Sequence, residues 1–250
     1  YKTLFETSLS KFEEQLQQGQ QQLDLFLPRA FRRPVDERSR QRWYALFERQ
    51  LAEHDCYTKA MKNTVQAVLL SPRFLFREDR IEPDENRLDD WTIASRLSYF
   101  LWGTMPDDAL FQLASQGRLK HPPVVRKQVR RMLEDPRSRW LSTSFGMQWL
   151  QTLQAIDARP DQDQFRAFYQ GHRATLPSVF MAIEQMLLFE TILVENRSVL
   201  DFIDADFGYL NQVLMKWYGL NPVDLIGFVP GPEDTEDFFR VQWPDRTRGG

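Results

Sequence analysis

Residues 88–119 read LDDWTIASRLSYFLWGTMPDDALFQLASQGRL, and the order of their apolar, acidic and glycine positions decides the fold. Asp89 or Asp90 can accept hydrogen bonds from the free backbone N–H groups of a starting helix. Ile93, Ala94, Leu97, Phe100 and Leu101 then recur at helical spacing and are expected to face a core. Gly103 supplies a left-handed stop that a side chain would resist. Pro106 suits a first helical turn, and Asp107 and Asp108 favour its positive end. Leu110, Leu113 and Ala114 form the second apolar face, and Gly117 ends that helix too. The stretch is a helical hairpin, and capping accounts for its acids and glycines without any catalytic role.

The same logic runs outward in both directions. Toward the N-terminus, Leu4, Phe5, Leu9, Phe12 and Leu16 are helically spaced, and QQGQQQ (17–22) is expected to interrupt them as a polar turn. Pro28 and Pro34 bracket an expected linker carrying Arg29, Arg32 and Arg33. Asp36 should open a helix with Trp43, Phe47 and Leu51 on its apolar side. The next helix carries Tyr57, Met61, Val65, Val68 and Leu69, and Ser71-Pro72 ends it because a residue before proline avoids the helical region. IEPDENR (81–87) reads as a polar loop and the best internal boundary.

Toward the C-terminus, Pro122 or Pro123 starts a helix with Val125, Val129, Met132 and Leu133 inward. A further helix carries Trp140, Phe145, Trp149 and Leu150, and residues 151–165 read as a loop. Leu176–Glu195 is helical, with Phe180, Ile183, Met186 and Leu187 on one side. A short helix is expected from Tyr209 to Tyr218, stopped by Gly219. Strand signals are poor, and only FFRVQW (238–243) reads as a short strand. The expectation is an all-α multi-helix bundle of short capped helices in two subdomains. Residues 1–80 form the N-terminal helical one, and 88–250 the larger one with an irregular acidic C-terminal tail.

Bulk composition narrows the function classes. Apolar residues make up 42% and charged residues 27% of 250, ordinary values for a globular protein able to bury a core without staples. The net charge of −3 gives no global case for nucleic acid. The charge is uneven, however: Arg118–Arg139 balances to +6 and Leu200–Asp237 to −7. These read as two solvated faces that partly complement each other, or as a docking surface for a charged partner. Cys56 is the single cysteine, so no internal disulfide and no C-x-x-C-H haem attachment are encoded. It lies at a helix start and is expected to be a small, at least half-buried side chain. No uninterrupted apolar run reaches membrane-spanning length, since MLLFETILV is broken by Glu190. The chain opens without Met in mid-pattern and closes at RTRGG, and both ends read as cut from a longer protein.

Among groups that could carry chemistry, DFIDADFGYLN supplies Asp201, Asp204, Asp206 and Asn211. Clustered carboxylates can ligate a hard cation such as Ca²⁺ or act as general acid or base. The spacing does not fit the twelve-residue calcium loop, and the competing reading is helix capping ahead of Tyr209. The metal-site expectation rests on these four residues, and calcium-stabilised adhesion through the acidic tail is its extension. Glu184 and Glu190 lie on a mostly apolar helix but point to different sides. His54, His121 and His172 are too far apart to pair on a helix. Arg29, Arg32, Arg33, Arg73 and Arg96 sit beside aromatics or apolar positions and read as ties between helices.

Taken in order, FLPRAFRRPV, AVLLSPRFLFRED, the 88–119 stretch, VRRMLEDPRSRW, FGMQWLQ and ENRSVLDFIDADFGYLNQVLMKWYGL resemble adjacent domains of unknown function. Such domains occur in large proteins abundant in planctomycetes and seen in other bacteria. The resemblance covers Phe26–Gly250. It implies a segment of an exported, periplasmic or extracellular, multidomain protein that accompanies c-type cytochrome modules. Haem would then sit in a neighbouring domain, with no cofactor in this segment. The resemblance brings no catalytic residues with it. The function expected is a non-catalytic scaffold or interaction module, its partners being other domains of the same polypeptide or a charged protein, with no nucleic acid and no membrane span. The alternative is an enzyme or electron-transfer component whose site is a carboxylate-lined cleft between the helical subdomains, using Asp201, Asp204, Asp206 or Glu184.

Overall fold

A computed structural model describes residues 2–82, 87–169, 176–226 and 237–243, without the side chains of 2–8, 167 and 224. Leu4, Phe5, His172 and the tail segments 227–236 and 244–250 therefore lie wholly or partly outside the described residues. The described chain is mostly helical, with two small antiparallel sheets of two strands each, as the all-α reading expects. It divides into two units, residues 1–99 with 104–126 and residues 100–103 with 127–250.

In the first unit α1 (Lys2–Phe31) is one continuous helix, so the expected break at 17–22 does not occur. Glutamine is a good helix former, and Gly19 serves packing here. A Cβ on Gly19 would lie 2.1 Å from the Phe47 ring, so the missing side chain lets α1 and α2 approach. Pro28 sits inside the last turn of α1 and starts no linker. Helix α2 (Glu37–His54) begins where expected, with the Asp36 carboxylate accepting from Ser39 N–H. Helix α3 (Tyr57–Leu69) follows and stops ahead of Ser71-Pro72 as expected, and Pro72 then opens a short helix, α4 (Pro72–Leu75), that the sequence reading did not include. Leu23, Leu27, Phe31, Phe47, Leu51, Ala60 and Val68 form the core between them. Burial of each large side chain contributes roughly 1.5–3 kcal/mol. Two details differ from expectation: Leu69 turns partly to solvent, and Cys56 is exposed.

The 81–87 segment is more ordered than a loop at its ends, because β1 (Ile81–Glu82) pairs antiparallel with β2 (Arg87–Leu88). Helix α5 (Asp90–Trp102) is capped by Asp89, whose carboxylate accepts from Thr92 N–H at 2.7 Å. The neighbouring Asp90 carboxylate accepts from Leu119 N–H at 2.7 Å and closes the far end of the hairpin onto its start. Helix α6 (Asp108–Ser115) uses Asp107 as its cap, which places Pro106 before the cap and outside the first turn. Gly103 and Gly117 both adopt φ +64, the left-handed stops expected of them.

Phe100 is a correction. It is 59% exposed, whereas Asp90, Ala94, Ser98 and Leu101 are buried. Those four define the buried stripe at spacings of three and four, and Phe100 falls outside it.

The second unit contains α7 beyond Arg126 (the whole helix is Pro122–Leu133), and the short helices α10 (Leu153–Ile156), α11 (Arg166–Tyr169) and α13 (Asp201–Asp204) flank in sequence its central helix, α12 (Pro177–Val194). Phe180, Ala182, Glu184, Leu188, Phe189 and Ile192 of α12 are buried. By length and composition α12 could cross a membrane, with a mean hydropathy of 1.5, but half of it is buried within the protein as a core helix. Strand β3 (Phe207–Leu210) pairs with β4 (Phe239–Gln242), the short strand expected in FFRVQW. Tyr209 is thus in a strand, and helix α14 (Gln212–Trp217) begins only after it, capped by the Asn211 side chain. One core cluster joins Phe180, Leu210, Leu214, Met215, Leu225 and Val241, and a second joins Leu188, Ile192, Ala205 and Phe207.

Candidate functional site

The segment from Asp135 to Trp149 departs most from regular helix. Asp135 caps a single 3₁₀ turn at Pro136–Ser138. Helix α8 (Arg139–Leu141) follows, then a π-helical turn at Ser142–Gly146, then α9 (Met147–Trp149). In the π turn Met147 N–H reaches back five residues to Ser142 O. Such insertions are uncommon and often mark functional places. Gly146 explains how this one packs: a Cβ there would stand 2.9 Å from the Phe189 ring, so the turn's backbone lies directly on α12.

That placement pushes aromatic side chains outward. Phe145 and Trp149, four residues apart, stack with ring centroids 6.0 Å apart and planes 12° from parallel. Phe100 adjoins Phe145 at 6.3 Å, and Phe202 meets Trp149 edge-on at 5.7 Å. Phe189 lies beneath and touches Phe145, Trp149 and Phe202. The result is a continuous strip, Phe100–Phe145–Trp149–Phe202, with Trp149 58% exposed. The turn that presents Phe202 also leaves Val199, Leu200 and Ile203 exposed, the last at 76%. Aromatic anchors on a water-excluding base are the usual centre of a recognition surface.

Each end of the strip has its own electrostatics. Near Phe100, the buried Trp102 donates its indole N–H to Met132 O at 2.9 Å. Its ring carries Arg137 at 3.5 Å and Arg131 at 5.4 Å. The hydrogen bonds from Arg137 hold the Asp135 carboxyl down at about 2. Near Phe202, Arg197 donates to Asp201 at 2.5 Å and to Asp206 at 3.2 Å, and its guanidinium lies 4.4 Å from the Phe207 ring centroid. Arg240 contacts the same ring at 4.3 Å and pairs with Glu195, whose carboxyl it holds below the usual range.

Of the residues singled out from sequence, the structure brings two carboxylates together on one arginine. Asp201 and Asp206 share Arg197, while Asn211 is buried and its side-chain oxygen accepts from Leu214 N–H at 2.9 Å. Asp204 is exposed in the same turn. Among the described residues no group of three His, Cys, Asp or Glu side chains is placed to hold a metal ion. Glu184, buried in α12, accepts from the Tyr218 hydroxyl at 2.7 Å, and Glu190 pairs with Arg139. His54 and His121 belong to the first unit.

The arginines act as ties, as their aromatic neighbours imply. Arg32 donates to the carbonyls of Arg73, Phe74 and Phe76, Arg29 pairs with Asp108, and Arg96 pairs with Asp79. The first unit also has an open cavity of about 360 Å³ lined by Asp24, Pro28, Pro34 and Arg40. Its acid is already engaged by the Tyr44 hydroxyl, which burial and that bond push up to about 12.

Sequence reading placed Phe145 and Trp149 on a helix but did not identify them as exposed. A usable signal was present: Trp140–Ile156 is 17 residues without one charge, in a chain that is 27% charged.

Comparison with known proteins adds two matches. Residues 88–220 match the family described as "Protein of unknown function (DUF1592)", and residues 18–79 match "Protein of unknown function (DUF1595)". No curated protein and no solved structure matches.

Proposed function

From the premise that the chain belongs to the DUF1592 family, which its residues 88–220 match, we propose that it is a non-catalytic helical interaction module. It works within a larger exported protein that also carries c-type cytochrome modules, with haem confined to those neighbours. The observation that carries the module reading is the exposed aromatic strip raised on a π-helical turn, because soluble proteins seldom leave such a patch to water without using it. The family resemblance of the sequence motifs supports the exported, cytochrome-associated setting.

The enzyme reading requires acids that converge on one pocket. Here Asp201 and Asp206 answer to Arg197, while Glu184 on α12 answers to Tyr218, just past α14. The experiment is a turnover screen of the purified chain with glycoside, ester and peptide substrates and redox dyes. No turnover is expected. Turnover abolished by Glu184→Gln or Asp201→Asn would overturn the module reading.

A further inference from the structure

We propose that the aromatic strip seats a second copy of this chain in a two-fold, antiparallel arrangement, an inference that rests on the interaction-module reading. Two observations select this occupant. The first is area. Phe100, Phe145, Trp149, Leu153, Val199, Leu200 and Ile203 are each 42–76% exposed. With large aromatics of about 150–250 Å² each left roughly half exposed, and the four aliphatic side chains beside them, such a set offers on the order of 700 Å², close to the roughly 800 Å² that one partner contributes to a stable interface.

The second observation is charge. The segment 127–139, which carries the Arg137 and Arg131 cations lying on Trp102, has five basic and two acidic residues, a balance of +3. It borders the Phe100 end, two residues along α5 from Trp102. The segment 195–206, which presents Phe202 and Ile203, has four acidic residues and Arg197, a balance of −3; Arg240 paired with Glu195 brings this end to −2, and Glu190 paired with Arg139 brings the basic end to +2, so the ends stay opposite in sign. The middle of the strip, Trp140–Ile156, is uncharged. A two-fold axis through Trp149 lays the basic end of each copy against the acidic end of the other, so one surface is its own complement. A parallel arrangement would set like against like. An uncharged ligand or a lipid surface would have no use for opposite charges at the two ends.

Sedimentation equilibrium of the 250-residue chain, from micromolar to near-millimolar, tests this. The expected result is a reversible dimer of twice 29.7 kDa. Trp149→Ser and Ile203→Asp, both at exposed positions, should each weaken it at least about tenfold, or 1.4 kcal/mol, with unchanged circular dichroism. Arg130→Glu and Asp204→Lys should each weaken self-association, and mixing the two variants should restore a mixed dimer, because each reversed end then meets a reversed partner. A chain that stays monomeric throughout, or a dimer indifferent to both Trp149→Ser and Ile203→Asp, overturns the proposal. So does a monomer that binds neutral glucan or lipid vesicles through Trp149. Each of these outcomes leaves the module reading standing, which the turnover screen tests separately.

Discussion

The Arg33 guanidinium lies 2.8 Å from the Asp89 carboxylate, and within the first unit this ion pair ties the 18–79 family segment to the start of the 88–220 segment. Both side chains are mostly buried, and Arg33 also donates to the Thr92 hydroxyl at 3.2 Å. Removing one partner from such a pair strands the other charge away from water. Arg33→Ala should therefore destabilise the chain by about 3 kcal/mol, measured by urea unfolding. Asp89→Asn keeps the helix cap and should cost less than Asp89→Ala.

The same pair sets a pH dependence. Burial raises the Asp89 pKa, but hydrogen bonds from Thr92 and the Arg33 charge outweigh it and leave the carboxyl below its ordinary value. A depressed folded pKa means that the stabilisation is complete above about pH 4 and is lost as pH falls through the lower folded value. Melting temperature measured from pH 6 downward should fall more steeply for the wild type than for Asp89→Asn. Parallel curves for the two proteins would contradict this assignment.

Gly19 tests why α1 does not break. Alanine is the better helix former by about 1 kcal/mol. Its Cβ, however, would meet the Phe47 ring at 2.1 Å, and Phe47 is fully buried. Gly19→Ala should destabilise by about 1–3 kcal/mol despite the gain in propensity, and the double variant with Phe47→Leu should recover part of the loss.

Tyr57 offers the opposite sign. Its ring packs edge-on against Phe47 at 5.7 Å, while its buried hydroxyl has no hydrogen-bond partner among the described residues and burial raises its pKa. Tyr57→Phe keeps the ring contact and removes the stranded group, so thermal melting should show a stabilisation of about 1 kcal/mol.

These residues also show what the sequence could and could not reveal. Capping is a local rule, so Asp36, Asp107, Gly103 and Gly117 could be read from their neighbours alone. Gly19 could not, because its role is set by Phe47, which lies 28 positions away. The β3–β4 pairing misled for the same reason: Tyr209 looks helical by spacing until Arg240 is placed opposite it. The aromatic strip was hidden by a rule that usually holds, that helically spaced Phe and Trp face inward. One π turn and the glycine beneath it reverse that rule at Phe145 and Trp149.

Gly146 should therefore control the strip. A methyl group there meets Phe189 at 2.9 Å and must lift the π turn from α12. Gly146→Ala should cost about 1–3 kcal/mol and make the Trp149 region exchange amide hydrogens faster, while the first unit keeps its protection.

Site-specific photo-crosslinking in the full-length protein, in its own cell, tests the central claim most directly. A photoreactive residue at position 149 should capture a polypeptide, while the same residue at the exposed Gln112 of α6 should not. Equal capture at the two positions, or none at 149, would contradict the claim that this chain works through its aromatic strip.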